Sequence, residues 1–107
     1  MGTACNVLQE MTVKHYWVYI LQCENNCYYT GYSTDLTKRY KAHLDGTASK
    51  YTRSFKPIKI AQHWKVTNKS MAMRLENRIK KLSRQNKEKI IDEPNLLYAF
   101  LEDTHYY

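Results

Sequence analysis

Residues 16–23, YWVYILQC, form a run without a single charged side chain in a sequence that is one quarter charged. Its aromatic and β-branched residues favour an extended strand, and the lack of charge lets both faces be buried, as expected of an inner strand. Glu24, Asn25 and Asn26 follow with turn chemistry, because Asn tolerates positive φ and its amide bonds nearby backbone. Residues 27–32, CYYTGY, then return antiparallel. Gly31, near the end of this second strand, marks a bulge or a place where another backbone or a ligand comes close. The hairpin therefore brings two tyrosine-bearing strands together near Tyr19 and Tyr29.

Past the hairpin, Ser33, Thr34 and Asp35 offer a helix N-cap and a first-turn carboxylate, and Leu36, Tyr40 and Leu44 recur every four residues until Gly46. Arg39 and His43 are also four apart, and the spacing predicts that they emerge together at the edge of the buried face. By spacing alone they read first as an arginine stem lying beside a helix-end histidine. Residues 47–57, TASKYTRSFKP, read as an irregular basic loop in which Lys50, Arg53 and Lys56 alternate with Tyr51 and Phe55. Cations beside aromatic rings suit phosphate contact and base stacking, although an ordinary surface loop has the same look. Residues 58–66 predict a third strand with Ile58, Ile60, Trp64 and Val66 on one face and Lys59, His63 and Lys65 on the other. A second helix, capped by Ser70, has Met71, Leu75, Ile79 and Leu82 as its stripe, and Ser83 caps a third through Ile91.

Glu76 stands beside that second stripe and is the only acid between Gly46 and Lys87, a span with twelve Lys and Arg. Read locally, it pairs with Lys80 one turn on. All 17 Lys and Arg fall within residues 14–89, which hold five acids and so carry +12. A block this basic points to a polyanion, with a merely solubilising surface as the competing explanation. The length suits one domain: an extension over 1–13, a folded unit over 14–92, and an acidic, apolar segment over 93–107. In that last segment Leu96, Leu97, Phe100 and Leu101 predict a short amphipathic helix that docks on its own domain or on a protein partner. Three cysteines are an odd count, so free thiols are expected at Cys23 and Cys27. No run is long enough to span a membrane and residues 1–12 lack signal-peptide character, which gives a cytoplasmic expectation with no membrane partner.

Val18-Tyr19-Ile20 and Tyr29-Thr30-Gly31, followed by Arg39 and His43, the SKYTR loop and Glu76, resemble the GIY-YIG nuclease superfamily over residues 16–91. The likeness is to small single-domain members related to the catalytic domains of excision-repair and structure-specific endonucleases. It implies an α+β fold, a three-stranded antiparallel sheet flanked by helices. It also implies a divalent-metal-dependent endonuclease acting on DNA, in repair or in processing of branched or damaged strands. RNA is a further candidate polyanion, and a nucleic-acid binder of the same fold without nuclease activity is the alternative. By the resemblance, Glu76 holds one Mg²⁺ or Mn²⁺ ion, Arg39 stabilises the pentacovalent phosphate, and Tyr19 acts as general base. Tyr29 positions water or phosphate, and His43 assists. Lys50, Tyr51, Arg53, Lys56, Lys80 and Lys81 are the expected nucleic-acid contacts. The sequence departs from the pattern at Val18 and Thr30, in place of Gly and Ile, and at Glu88, where many members carry Asn.

Overall fold

The computed structural model describes residues 15–105. The extension expected over 1–13 and the side chains from 102 onward lie outside the described residues. The fold is α+β. Strands β1 (Tyr16–Cys23), β2 (Tyr28–Ser33) and β3 (Pro57–Val66) form one antiparallel sheet in the order β2-β1-β3. The uncharged run therefore lies in the middle, with Val18 to Leu21 all buried. The turn closes with Asn26 at φ 62° and with Asn25 Oδ1 accepting from the Cys27 amide at 3.3 Å. Cys23 is buried and Cys27 exposed, both as free thiols.

Alternate β1 side chains feed two different clusters, because successive residues of a strand point to opposite faces. Val18 and Ile20 join Trp64, Val66, Ala72, Leu75, Ile79, Ile90 and Leu97 in the main core. Tyr19, Leu21 and Cys23 form a second cluster on the other face, with Tyr29, Leu36, Tyr40, Tyr51 and Ile60 against it. This corrects the expected facing of β3. The pairing of β1 with β3 steps from Ile20↔Gln62 to Leu21↔Ile60 and again from Gln22↔Lys59 to Cys23↔Pro57. Each extra residue reverses the alternation. Ile60 is thus moved to the Tyr19 side, away from Trp64, and Ile58 is left 59% exposed while Pro57 is buried.

Helix α1 (Leu36–Asp45) follows β2, capped by Asp35, whose carboxylate accepts from the Lys38 amide at 3.0 Å, and ended by Gly46 at φ 81°. Asp35 is the cap itself, so there is no acid in the first turn. Helix α2 (Lys50–Ser54) replaces the irregular loop expected there. Ser49 caps it by accepting from the Thr52 amide at 3.1 Å. Pro57 disfavours helical backbone at Lys56, which keeps α2 short. Helix α3 (Lys69–Lys81) starts two residues earlier than expected, with Asn68 rather than Ser70 as its cap, and buries Ala72, Leu75 and Ile79 while Met71 stays 38% exposed. Helix α4 (Arg84–Asp92) begins after Ser83, whose hydroxyl accepts from the Asn86 amide, as the sequence predicts.

Helix α5 (Leu96–His105) docks on the chain's own main core: Leu97 is fully buried and Leu96, Phe100 and Leu101 pack beside it. Trp64 Nε1 donates to the Pro94 carbonyl at 2.9 Å and Arg78 to the Phe100 carbonyl at 3.2 Å. The segment therefore covers the sheet face opposite Tyr19. Truncating Leu97 to alanine is expected to cost about 2–5 kcal/mol of stability, the range for emptying a buried leucine site. A melting curve checks it; a melting temperature unchanged from the parent would contradict the docking.

Candidate active site

Tyr19 comes from the middle of the inner strand and is 1% exposed. Its cross-strand partner is Gly31, and a Cβ there would stand 2.6 Å from the Tyr19 hydroxyl oxygen and 2.8 Å from Cζ. The close approach foreseen at Gly31 is thus made by a side chain, the Tyr19 ring lying across β2. Neither a second backbone nor a bulge in the β1–β2 pairing accounts for the glycine.

His43 meets this ring from α1. It is 1% exposed, whereas Leu44 is 39% exposed, so the helix turns Leu36, Tyr40 and His43 inward. A helix with 3.6 residues per turn brings i, i+4 and i+7 within a narrow arc, while i+8 falls roughly 80° away. The expectation that His43 sits at the edge of the buried face is therefore corrected: it is inside, and Arg39 one turn earlier is exposed.

His43 Nε2 lies 2.8 Å from the Tyr19 hydroxyl, and its Nδ1 lies 2.8 Å from Thr52 Oγ1. Thr52 is fully buried, and its Oγ1 is 2.7 Å from Ser49 Oγ. The Tyr29 ring stands edge-on to His43 at 5.1 Å between centroids and stacks on Tyr51 at 5.9 Å. Burial pushes the Tyr19 phenol well above its ordinary pKa; Tyr29 and Glu76 push the same way, and the Arg39 guanidinium pulls back. The order matters, because desolvation outweighs the nearby cation. Burial, with Arg39 beside it, lowers His43 to about 4. His43 thus bonds the Tyr19 hydroxyl directly, Tyr29 packs on His43, and the charges of Arg39 and Glu76 are felt at the phenol.

Two of the expected roles meet this geometry differently. A phenol raised by burial is neutral at physiological pH and cannot serve as a free phenolate. Glu88, where Asn is usual, is occupied by Arg84 at 3.3 Å and reaches the Tyr28 hydroxyl at 3.5 Å. Of the expected nucleic-acid contacts, Lys50, Arg53 and Lys81 are exposed and Tyr51 half-buried. Lys56 is engaged within the fold, its Nζ donating to the Leu44 carbonyl at 3.1 Å. Lys80 pairs with Glu76 at 3.5 Å and lines a cleft of about 420 Å³ with Tyr28, Tyr29, Tyr51, Arg84 and Lys87. The cleft runs along β2, the sheet edge nearest the site, and the sequence reading missed Arg84 and Lys87 as part of it. It also missed Thr52 and Ser49; the only signal for them is Ser and Thr three apart, a helix-start pattern.

The pattern of the GIY-YIG catalytic domain matches residues 15–89. The chain belongs to the GIY-YIG family. It is 43% identical over 79 residues to a UPF0213 protein of Halalkalibacterium halodurans, covering 74% of this chain and 83% of that one. With a UPF0213 protein of Fusobacterium nucleatum it shares 40% over 88 residues, 82% of this chain and 85% of the other. The solution NMR structure of the UPF0213 protein from Bacillus halodurans aligns with a TM-score of 0.48 at 41% identity, over 73% of this chain and 83% of that one. No helix among the described residues is long and apolar enough to cross a membrane.

Because the folded His43 protonates near pH 4 and an exposed histidine near 6.5, the unfolded chain binds a proton in that window that this GIY-YIG fold refuses. Stability is therefore expected to fall as pH drops from about 6.5 to 4, by on the order of 3 kcal/mol from this group, and to lose nothing more from it below pH 4. Denaturant unfolding of the parent and of His43→Gln across that range checks it. Identical pH slopes for the two would refute the assignment.

Proposed function

We propose that this GIY-YIG protein is a divalent-metal-dependent endonuclease that hydrolyses DNA phosphodiesters, with branched or damaged DNA as its substrate. The observation that carries the proposal is the hydrogen bond between a buried Tyr19 and a neutral His43, within the influence of Arg39 and Glu76. A neutral phenol bound to a neutral imidazole works as a relay. Its hydroxyl oxygen accepts a proton from the attacking water while its own proton passes to His43 Nε2, so no phenolate has to exist beforehand. Charge accumulating on the phosphate is met by Arg39, whose planar guanidinium matches phosphate oxygens. Tyr29, edge-on to His43, supplies a hydroxyl next to the reacting group.

Glu76 would hold the metal. Among the described residues no three of His, Cys, Asp and Glu gather into a closed ligand set. A single hard carboxylate, 21% exposed and only loosely paired with Lys80, fits an ion that keeps most of its shell as water and phosphate oxygens. When bound, such an ion supplies charge neutralisation and a more acidic water. The cleft with Lys80, Arg84, Lys87 and the tyrosines beside it, together with exposed Lys50, Arg53 and Lys81, offers cations and ring faces to the strand that flanks the cut.

The test is incubation with duplex, flap, junction and single-stranded DNA and with RNA, with and without Mg²⁺ or Mn²⁺. Cleavage that requires the metal, strongest on flap or junction DNA, is expected. Salt-sensitive binding without cleavage on every substrate would instead make the chain a nucleic-acid-binding protein of the same fold.

A further inference from the structure

We propose that Thr52 is a positioning residue: it holds His43 in the tautomer with the proton on Nδ1, which leaves Nε2 as an acceptor for the Tyr19 hydroxyl. The inference rests on the proposed nuclease chemistry for its effect on rate, but its structural content stands apart from it. An imidazole buried to 1% exposure with both ring nitrogens engaged at 2.8 Å has two tautomers to choose between, and its partners decide. With the proton on Nε2, His43 would donate to Tyr19. The Tyr19 hydroxyl proton would then lose its acceptor, since among the described residues the one other group that hydrogen-bonds to that oxygen, the Arg39 guanidinium, has only donors, while Tyr29 and Glu76 act on it by charge alone. With the proton on Nδ1, every proton in the line is used. Tyr19 donates to Nε2, Nδ1 donates to Thr52 Oγ1, and the Thr52 hydroxyl donates onward to Ser49 Oγ at 2.7 Å. Such a chain runs in one direction and its members polarise one another.

The position of Thr52 is itself well determined. Ser49 caps α2 by accepting the Thr52 amide, so the same serine fixes both the backbone and the side chain of Thr52. A side chain that is fully buried with its hydroxyl aimed at a histidine nine residues away is not chosen for solvent. The short helix α2 thus does two jobs. Its outer side exposes Lys50 and Arg53, and its inner side orients the imidazole.

Thr52→Val keeps the shape and removes the acceptor; Thr52→Ser keeps the acceptor. Nitrogen NMR of His43 in the metal-free protein reads the tautomer directly. The parent and Thr52→Ser are expected to show the proton on Nδ1, and Thr52→Val a shift toward Nε2–H. On the cleaved substrate, Thr52→Val should lower kcat by about 10- to 100-fold, the range for losing an outer partner that orients an imidazole, with KM unmoved. Thr52→Ser should restore most of it. A parent with the proton on Nε2, or a valine variant that keeps Nδ1–H and the parental rate, would overturn the proposal. So would a serine variant as impaired as the valine one. If the parent cleaves nothing, the nuclease reading fails, and the tautomer spectra alone still decide what Thr52 does.

Discussion

Replacing Glu76 with alanine is expected to abolish divalent-dependent cleavage while leaving DNA affinity, measured without metal, equal or slightly higher. The first half follows from the donor inventory: among the described residues, Glu76 is the one carboxylate felt at Tyr19, and no closed set of ligands stands in reserve to hold the ion in its place. The second follows from charge, since removing one anion from a block of +12 removes a repulsion toward phosphate. Stability should hardly change. The partner lost is Lys80, itself 54% exposed at 3.5 Å, and such helix-surface pairs contribute about 0.3–0.5 kcal/mol. Cleavage and binding assays on one preparation, with a melting curve for control, separate the three quantities. A variant that cleaves like the parent would leave Glu76 as an ordinary helix acid and remove the metal site from this arrangement.

What made the site legible in the sequence was the inner strand. A run without charge, bounded by Asn-rich turn chemistry, located Tyr19 in a buried strand and paired it with β2, and the resemblance then supplied Arg39, His43 and Glu76. Depth was harder to read. Leu36, Tyr40 and Leu44 keep a strict four-residue spacing, Leu36, Tyr40 and His43 keep the arc of the helix better, and hydrophobicity favours the leucine. The structure buries the histidine instead, because Tyr19 and Thr52 satisfy both of its nitrogens there. A polar residue with a complete set of partners can be buried at little cost, and partners distant in sequence leave no periodic trace. The same limit hid α2, whose five residues are too few to show a period, and the register steps in β3, which carried Ile60 to the Tyr19 face although the alternation pointed elsewhere. The C-terminal segment was legible as an amphipathic helix but not by its docking face. That choice depends on which sheet face still lacks cover, here the one holding Val18 and Trp64.

A methyl group at position 31 is expected to cost more in rate than in stability. Gly31 does not sit in the left-handed region, so alanine is free to adopt its backbone and strain arises only from what the new Cβ meets. It meets the Tyr19 hydroxyl oxygen at 2.6 Å and Cζ at 2.8 Å, both inside van der Waals contact. Tyr19 is 1% exposed and held among Leu21, Cys23 and Tyr29, so the ring cannot swing into solvent to relieve the clash. Either the strands separate or the phenol shifts by a large fraction of an ångström. Overpacking of this kind costs about 1–3 kcal/mol. The hydrogen bond to His43, 2.8 Å long, does not survive such a shift, and losing a positioned proton acceptor lowers rates by about 10²–10⁴-fold. Combining Gly31→Ala with Tyr19→Phe separates the two effects. Deleting the hydroxyl removes the shortest clash, so the double variant should regain part of the lost stability while its rate stays as low as that of either single variant. Gly31→Ala with parental cleavage would mean that the Tyr19 hydroxyl has no part in the reaction, and the relay through His43 would have to be abandoned.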